Sequence, residues 1–107
     1  IGSWHAHVYF DAGTRDAARA LYERLPARFP DADIGRFHER PGGPPPMWSS
    51  QIAFAAPQFA EIVPWLALNR DGLVVFAHPE TGNALADHRD HGIWLGTGLE
   101  LDLSIFS

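Results

Sequence analysis

The stretch Trp4-His5-Ala6-His7-Val8-Tyr9-Phe10 sets the frame for the whole chain. Trp4, Ala6, Val8 and Phe10 fall on one face and His5, His7 and Tyr9 on the other, the period-two alternation of a half-buried strand. Past Asp11-Ala12-Gly13 the period lengthens. Thr14 is placed to cap a helix in which Ala18, Leu21, Tyr22, Leu25 and Phe29 recur at three- and four-residue steps, with Pro26 bending its last turn and Pro30 ending it. Residues 33–39 read as a second strand, and Pro41-Gly42-Gly43-Pro44-Pro45-Pro46 as a loop. Residues 48–55 alternate again, a third strand with Trp48, Ile52 and Phe54 opposite Ser49, Gln51 and Ala53. Pro57 suits the first position of a second helix whose stripe is Phe59, Ile62, Val63 and Leu66. Pro64 conflicts with that helix, since an interior proline costs roughly 3 kcal/mol. Asn69-Arg70-Asp71-Gly72 is a stop signal. Residues 73–78, nearly all apolar, form a fourth strand buried on both faces or paired on both edges. Residues 79–92 read as a polar loop, and residues 99–105 alternate as a fifth strand, at an edge or against a second subunit.

This order predicts an α+β, ferredoxin-like βαββαβ sandwich: an antiparallel sheet with two helices on one face and an extra C-terminal strand. Its strand order, 4-1-3-2, makes strands one and four antiparallel neighbours. His5 and His7 then lie beside His78, and the loop with His88 and His91 leaves from the same corner. His38, at the end of strand two, belongs near the opposite rim.

The chain has 107 residues, 46% hydrophobic and 20% charged, with no cysteine. One domain over residues 1–107 can bury a core unaided, and thiolate metal sites, thiol nucleophiles and disulfide-stapled folds are excluded. A formal charge of -5 repels phosphate backbones and anionic lipid, so no nucleic acid and no membrane is expected as partner. No apolar run approaches the roughly 20 residues of a membrane helix, and the expected compartment is the cytoplasm. An open sheet face together with an alternating apolar tail predicts a homodimer.

Six histidines are many for this length. His5 and His7, at i and i+2 of one strand, point the same way with Cα atoms roughly 7 Å apart, and imidazoles at that spacing can close on one metal ion. His78 from the neighbouring strand completes a three-ligand set that leaves positions for water or substrate. Asp87-His88-Arg89-Asp90-His91 offers further imidazoles, with Asp87 as a carboxylate that fixes an imidazole tautomer. A lone histidine is more often a surface or hydrogen-bonded residue than a ligand, and a charged loop is more often simply solvated; convergence on one corner is what favours a site. Trp4, Trp65 and Trp94 read as core residues, while Trp48, beside the Pro/Gly loop, reads equally as core or substrate contact. Gly42-Gly43 lack the following helix of a phosphate loop, and no Ser-His-Asp arrangement is present.

Four ordered motifs, Trp4-His5-Ala6-His7-Val8-Tyr9-Phe10, Trp65-Leu66-Ala67-Leu68-Asn69-Arg70 with His78-Pro79-Glu80-Thr81-Gly82, Asp87-His88-Arg89-Asp90-His91, and Trp94-Leu95-Gly96 with Leu101-Asp102-Leu103-Ser104, together resemble the DOPA 4,5-dioxygenase family. The resemblance spans almost the whole chain. It implies extradiol cleavage of a catechol such as L-DOPA with non-haem iron(II) and dioxygen, although a purified preparation can hold another divalent ion such as zinc. On that reading His5, His7 and His78 are the metal ligands and His88 and His91 the acid/base groups, with an exchange between the two sets open. Tyr9, Arg89 and Trp48 are candidate substrate contacts, Arg89 as the cation for an amino-acid carboxylate. Asp87 is a candidate in the outer shell or as a ligand.

The family pattern has Gly-Pro-His-Pro after strand two, where this chain has Gly43-Pro44-Pro45-Pro46, so Pro45 stands in place of a histidine. That departure supports a competing reading as a binding module without turnover. A metal-free acid/base enzyme, such as an isomerase with a histidine pair on the open sheet, is a third reading and rests on fold analogy.

Overall fold

In a computed structural model, residues 2–35, 37, 48–99 and 103–104 are described. Strand β1 (Ser3–Phe10) is followed by helix α1 (Arg15–Arg28), strands β2 (Asp33–Ile34) and β3 (Trp48–Ala55), a 3-10 turn (Ala56–Gln58), helix α2 (Phe59–Asn69), strand β4 (Val74–Glu80), helix α3 (Ala84–Arg89) and strand β5 (Ile93–Leu95). The sheet order is β2-β3-β1-β4-β5 with every pair antiparallel, so β1 lies at the centre and β4 beside it, the expected ferredoxin-like arrangement with one strand added at the β4 edge.

The alternation of β1 separates two environments. Ala6, Val8 and Phe10 join Ile52, Phe54, Val75 and Ala77 in one buried cluster with Ala18, Leu21, Tyr22 and Leu25 of α1 and Ile62 and Leu66 of α2. Both long helices therefore cover the same face, and His5, His7 and Tyr9 point to the other. The Tyr22 hydroxyl ties α1 to the sheet edge, 2.6 Å from the Gly35 carbonyl and 2.5 Å from that of Gln51.

Local chemistry departs from expectation at several points. Thr14 is the residue before α1, but its hydroxyl accepts from the Asp11 N–H at 2.9 Å while Asp11 Oδ1 accepts from the Thr14 N–H at 3.0 Å. The pair closes the turn into the helix instead of capping its first turn. Helix α2 runs through Pro64, where both Pro64 and Ala60 are exposed, so the Ala60 carbonyl that loses its partner can be solvated. Asp71 and Gly72, at φ 52° and 79°, end that helix region as the sequence indicates.

Beyond the core the differences are larger. The described part of the second strand is two residues long, while residues 36 and 38–47, with His38 and the whole Pro/Gly loop including Pro45, lie outside the described residues. Residues 79–92 are not a plain loop: Pro79 and Glu80 extend β4, and α3 forms behind Asn83, whose side chain accepts from the Ala86 N–H at 3.1 Å. The edge strand paired with β4 is β5, while residues 99–105, expected as a fifth strand, lie mostly outside the described residues. No helix among the described residues is long and apolar enough to cross a membrane.

Candidate metal centre

Antiparallel pairing sets His5 directly opposite His78, and His7 opposite Phe76, on the face away from α1 and α2. The rings converge, with centroid separations of 5.3 Å for His5 and His78 and 5.1 Å for His7 and His78. One ligand nitrogen from each of His5, His7 and His78 lies within 4.8 Å of the other two. His78 is 1% exposed, sealed by the His88 ring at 3.9 Å and the Phe76 ring at 5.7 Å. Helix α3 thus roofs part of the histidine face and brings His88 onto it.

Hydrogen bonds fix where the ring protons sit. The Pro79 carbonyl can only accept, so His78 Nδ1, 3.0 Å away, donates and its Nε2 carries the lone pair. That Nε2 is 3.0 Å from His7 Nε2, which is then the donor between them in the metal-free protein; as a metal ligand His7 would carry its proton on Nδ1 instead. The Glu80 carboxylate lies 3.0 Å from His5 Nδ1 and 3.5 Å from His78 Nδ1. Glu80 was not singled out from the sequence. Its signal was present, because His78 and Glu80 stand two apart on one strand and share a face, but only the β1 to β4 register brings that carboxylate to His5.

Burial, reinforced by the neighbouring imidazoles of His78, His5 and His88, pushes the His7 pKa down to about 3. Burial also lowers that of His78, partly offset by its hydrogen bond to the Pro79 carbonyl. Neutral imidazoles are what a divalent ion requires of its ligands. The 3.0 Å between His7 and His78 Nε2 also fits: two nitrogens each about 2.1 Å from one ion, at a right angle, stand about 3 Å apart. Three imidazoles on one side of an ion suit iron(II) or zinc and leave its other side open. His5, His7 and His78 therefore fit a metal.

The remaining candidates divide. Tyr9, 9% exposed, shares the histidine face, with ring centroids 6.4 Å from His7 and 6.1 Å from Trp94; burial raises its pKa. Trp94 is not in the helix-side core but on this face, 4.4 Å from Phe76, because β5 pairs with β4 in that register. Trp4 and Trp65 do pack on the core. Trp48 packs edge-on to Phe10 at 5.7 Å on the helix side, since its strand parity matches Ile52 and Phe54, so the structure separates it from the histidines. Asp87 is buried, and both its oxygens accept from Thr81, from the N–H at 2.9 Å and the hydroxyl at 2.5 Å, which holds its carboxyl below the usual range. The carboxylate at the imidazoles is Glu80, and Asp87 fastens α3 to the end of β4. Arg89 forms a two-pronged pair with Asp90 at 2.7 and 2.8 Å on the exposed side of α3. His91 is exposed, and among the described residues no ring contact or hydrogen bond joins its side chain to the cluster. Its imidazole contributes to lowering the pKa of Asp87 and of Asp90.

The profile of the Dopa 4,5-dioxygenase family matches residues 4–105. An uncharacterised 21.2 kDa protein of Botryotinia fuckeliana is 39% identical over 97% of this chain and 63% of its own length. The DOPA 4,5-dioxygenase of Amanita muscaria is 31% identical over 97% of this chain and 49% of its own. The chain thus spans about half to two thirds of these curated relatives. A crystal structure of a provisionally assigned dioxygenase from Nostoc punctiforme superposes with a TM-score of 0.88 at 48% identity, over 96% of this chain and 89% of that one.

Proposed function

The chain belongs to the Dopa 4,5-dioxygenase family, and from that premise we propose that it is a metal-dependent dioxygenase that opens the ring of a catechol such as L-DOPA by extradiol cleavage. The observation that carries the reading is the set of three converging imidazoles on the open face of the sheet.

His5, His7 and His78 would hold iron(II), which when bound supplies the Lewis-acid and redox chemistry that reaction of a catechol with dioxygen requires. The chain's own residues do the rest. His88 Nδ1 donates to the Ala84 carbonyl at 2.7 Å, which leaves Nε2 as the basic nitrogen. The His88 ring, 3.9 Å from that of His78, supports a role for His88 in taking a catechol proton and returning it later in the cycle. Trp94, half-buried and backed by the rings of Phe76 and Tyr9, offers an aromatic face beside the ligands against which a planar ring can pack. Helix α3, held by Asp87 and Thr81, limits water at His78.

The test is anaerobic loading with iron(II), addition of L-DOPA, then air, with the spectrum followed for a yellow ring-opened semialdehyde. Iron binding without product formation would favour a binding module, and absence of any metal affinity would overturn the reading.

A further inference from the structure

We propose that Glu80 is a positioning residue of this centre, holding His5 in the tautomer whose Nε2 faces the metal. The inference deepens the proposed function and rests on the same three imidazoles. His78 has its tautomer fixed by the Pro79 carbonyl, a backbone group that no side-chain substitution removes. Among the described residues His5 has no equivalent backbone partner. Its Nδ1 partner is the Glu80 carboxylate at 3.0 Å, reached across the β1 to β4 pair from two residues beyond His78.

A carboxylate can only accept, so its charge 3.0 Å from His5 Nδ1 favours the proton on that nitrogen and leaves the lone pair at Nε2. The same oxygen lies 3.5 Å from His78 Nδ1, so one negative charge sits behind two ligand rings and raises the electron donation of both. Glu80 is not one of the mutually close donors: the cluster that can hold an ion comprises His5, His7 and His78. Its place is therefore behind the ligands. The Glu80 side chain is 39% exposed, so water competes for His5 Nδ1 once the carboxylate is gone and the tautomer is no longer imposed.

Glu80→Ala and Glu80→Gln decide it, with cobalt(II) as the probe metal. The alanine variant is expected to bind cobalt(II) about 10- to 100-fold more weakly. Glutamine, whose amide oxygen still accepts from Nδ1, is expected to recover most of that loss. In the metal-free protein, nitrogen-15 spectra of the imidazoles should show His5 as Nδ1–H in the wild type and in Glu80→Gln, and as a mixture of tautomers in Glu80→Ala. An alanine variant with unchanged affinity and an unchanged His5 tautomer would overturn the proposal. So would equal and complete loss of cobalt(II) in both variants with the His5 tautomer unmoved, which would make the carboxylate itself a ligand. If the wild type bound no metal, the dioxygenase reading would fail, while the tautomer comparison would still test Glu80.

Discussion

Gly92→Ala should destabilise the protein and loosen the metal centre together. Gly92 lies between α3 and β5, and a methyl group on it would stand 2.2 Å from Cε1 and 2.4 Å from Cζ of Phe76. Ordinary carbon contacts need about 3.5 Å or more, so the ring would have to retreat by more than about 1 Å. It has nowhere to go. Phe76 is 1% exposed, with ring neighbours Trp94 at 4.4 Å, His78 at 5.7 Å and His88 at 6.2 Å. Forcing one methylene into a packed core costs about 1–3 kcal/mol, which for a domain near this size lowers the melting temperature by roughly 5–20 °C. Because the displaced ring presses on His78 and His88, cobalt(II) affinity should fall as well. Gly98→Ala is the matched control: its methyl group would sit 3.6 Å from the Trp94 ring, an ordinary contact. It should be neutral or stabilise by up to about 1 kcal/mol. Thermal melts and cobalt(II) titrations of both variants check this. A Gly92→Ala protein that melts within about 2 °C of the wild type with full cobalt(II) affinity would refute the close approach, and equal losses in both variants would refute its specificity.

Replacing His5, His7 or His78 with Ala should abolish bound iron and turnover together, since two remaining ligands seldom retain a divalent ion against buffer. His88→Ala should keep iron, measured by metal analysis, and lose about 10²- to 10⁴-fold in turnover; loss of iron instead would make His88 a ligand. The lowered pKa of His7 means that, between about 3 and 6.5, the unfolded chain binds more protons at this position than the folded one. Its contribution to stability is fully present above about pH 6.5 and is lost as pH falls through that window. Urea unfolding of metal-free protein from pH 7 to 4 should therefore show a steeper decline than in His7→Asn, and equal slopes would contradict the shift. Tyr22→Phe should cost about 1 kcal/mol, read by the urea midpoint, since the Gln51 carbonyl keeps the Gly35 N–H at 2.9 Å when the hydroxyl is removed. Light scattering at micromolar concentration should give twice the 11.8 kDa monomer mass; the monomer mass would contradict the expected dimer.

The faces of β1 were legible from seven residues, because side-chain direction in a strand is a local property with period two. Once His5 and His7 were known to share a face, the element order alone placed His78 beside them, as the pairing of His5 with His78 shows. Helix α3 was not legible: six residues hold too few turns for apolar periodicity, and the one local mark was Asn83, a residue equally at home in a loop. The strand β5 was missed for a related reason, since three residues carry no alternation to read. What tertiary structure alone decided is which groups touch. Glu80 reaches His5 only through register between strands some seventy residues apart, Trp94 turns to the histidine face only because β5 pairs with β4, and Asp87 closes on Thr81 rather than on an imidazole because the turn before α3 presents two donors to it. Sequence spacing specifies what lies on one side of one element; hydrogen-bond partners across elements follow from how the sheet is assembled.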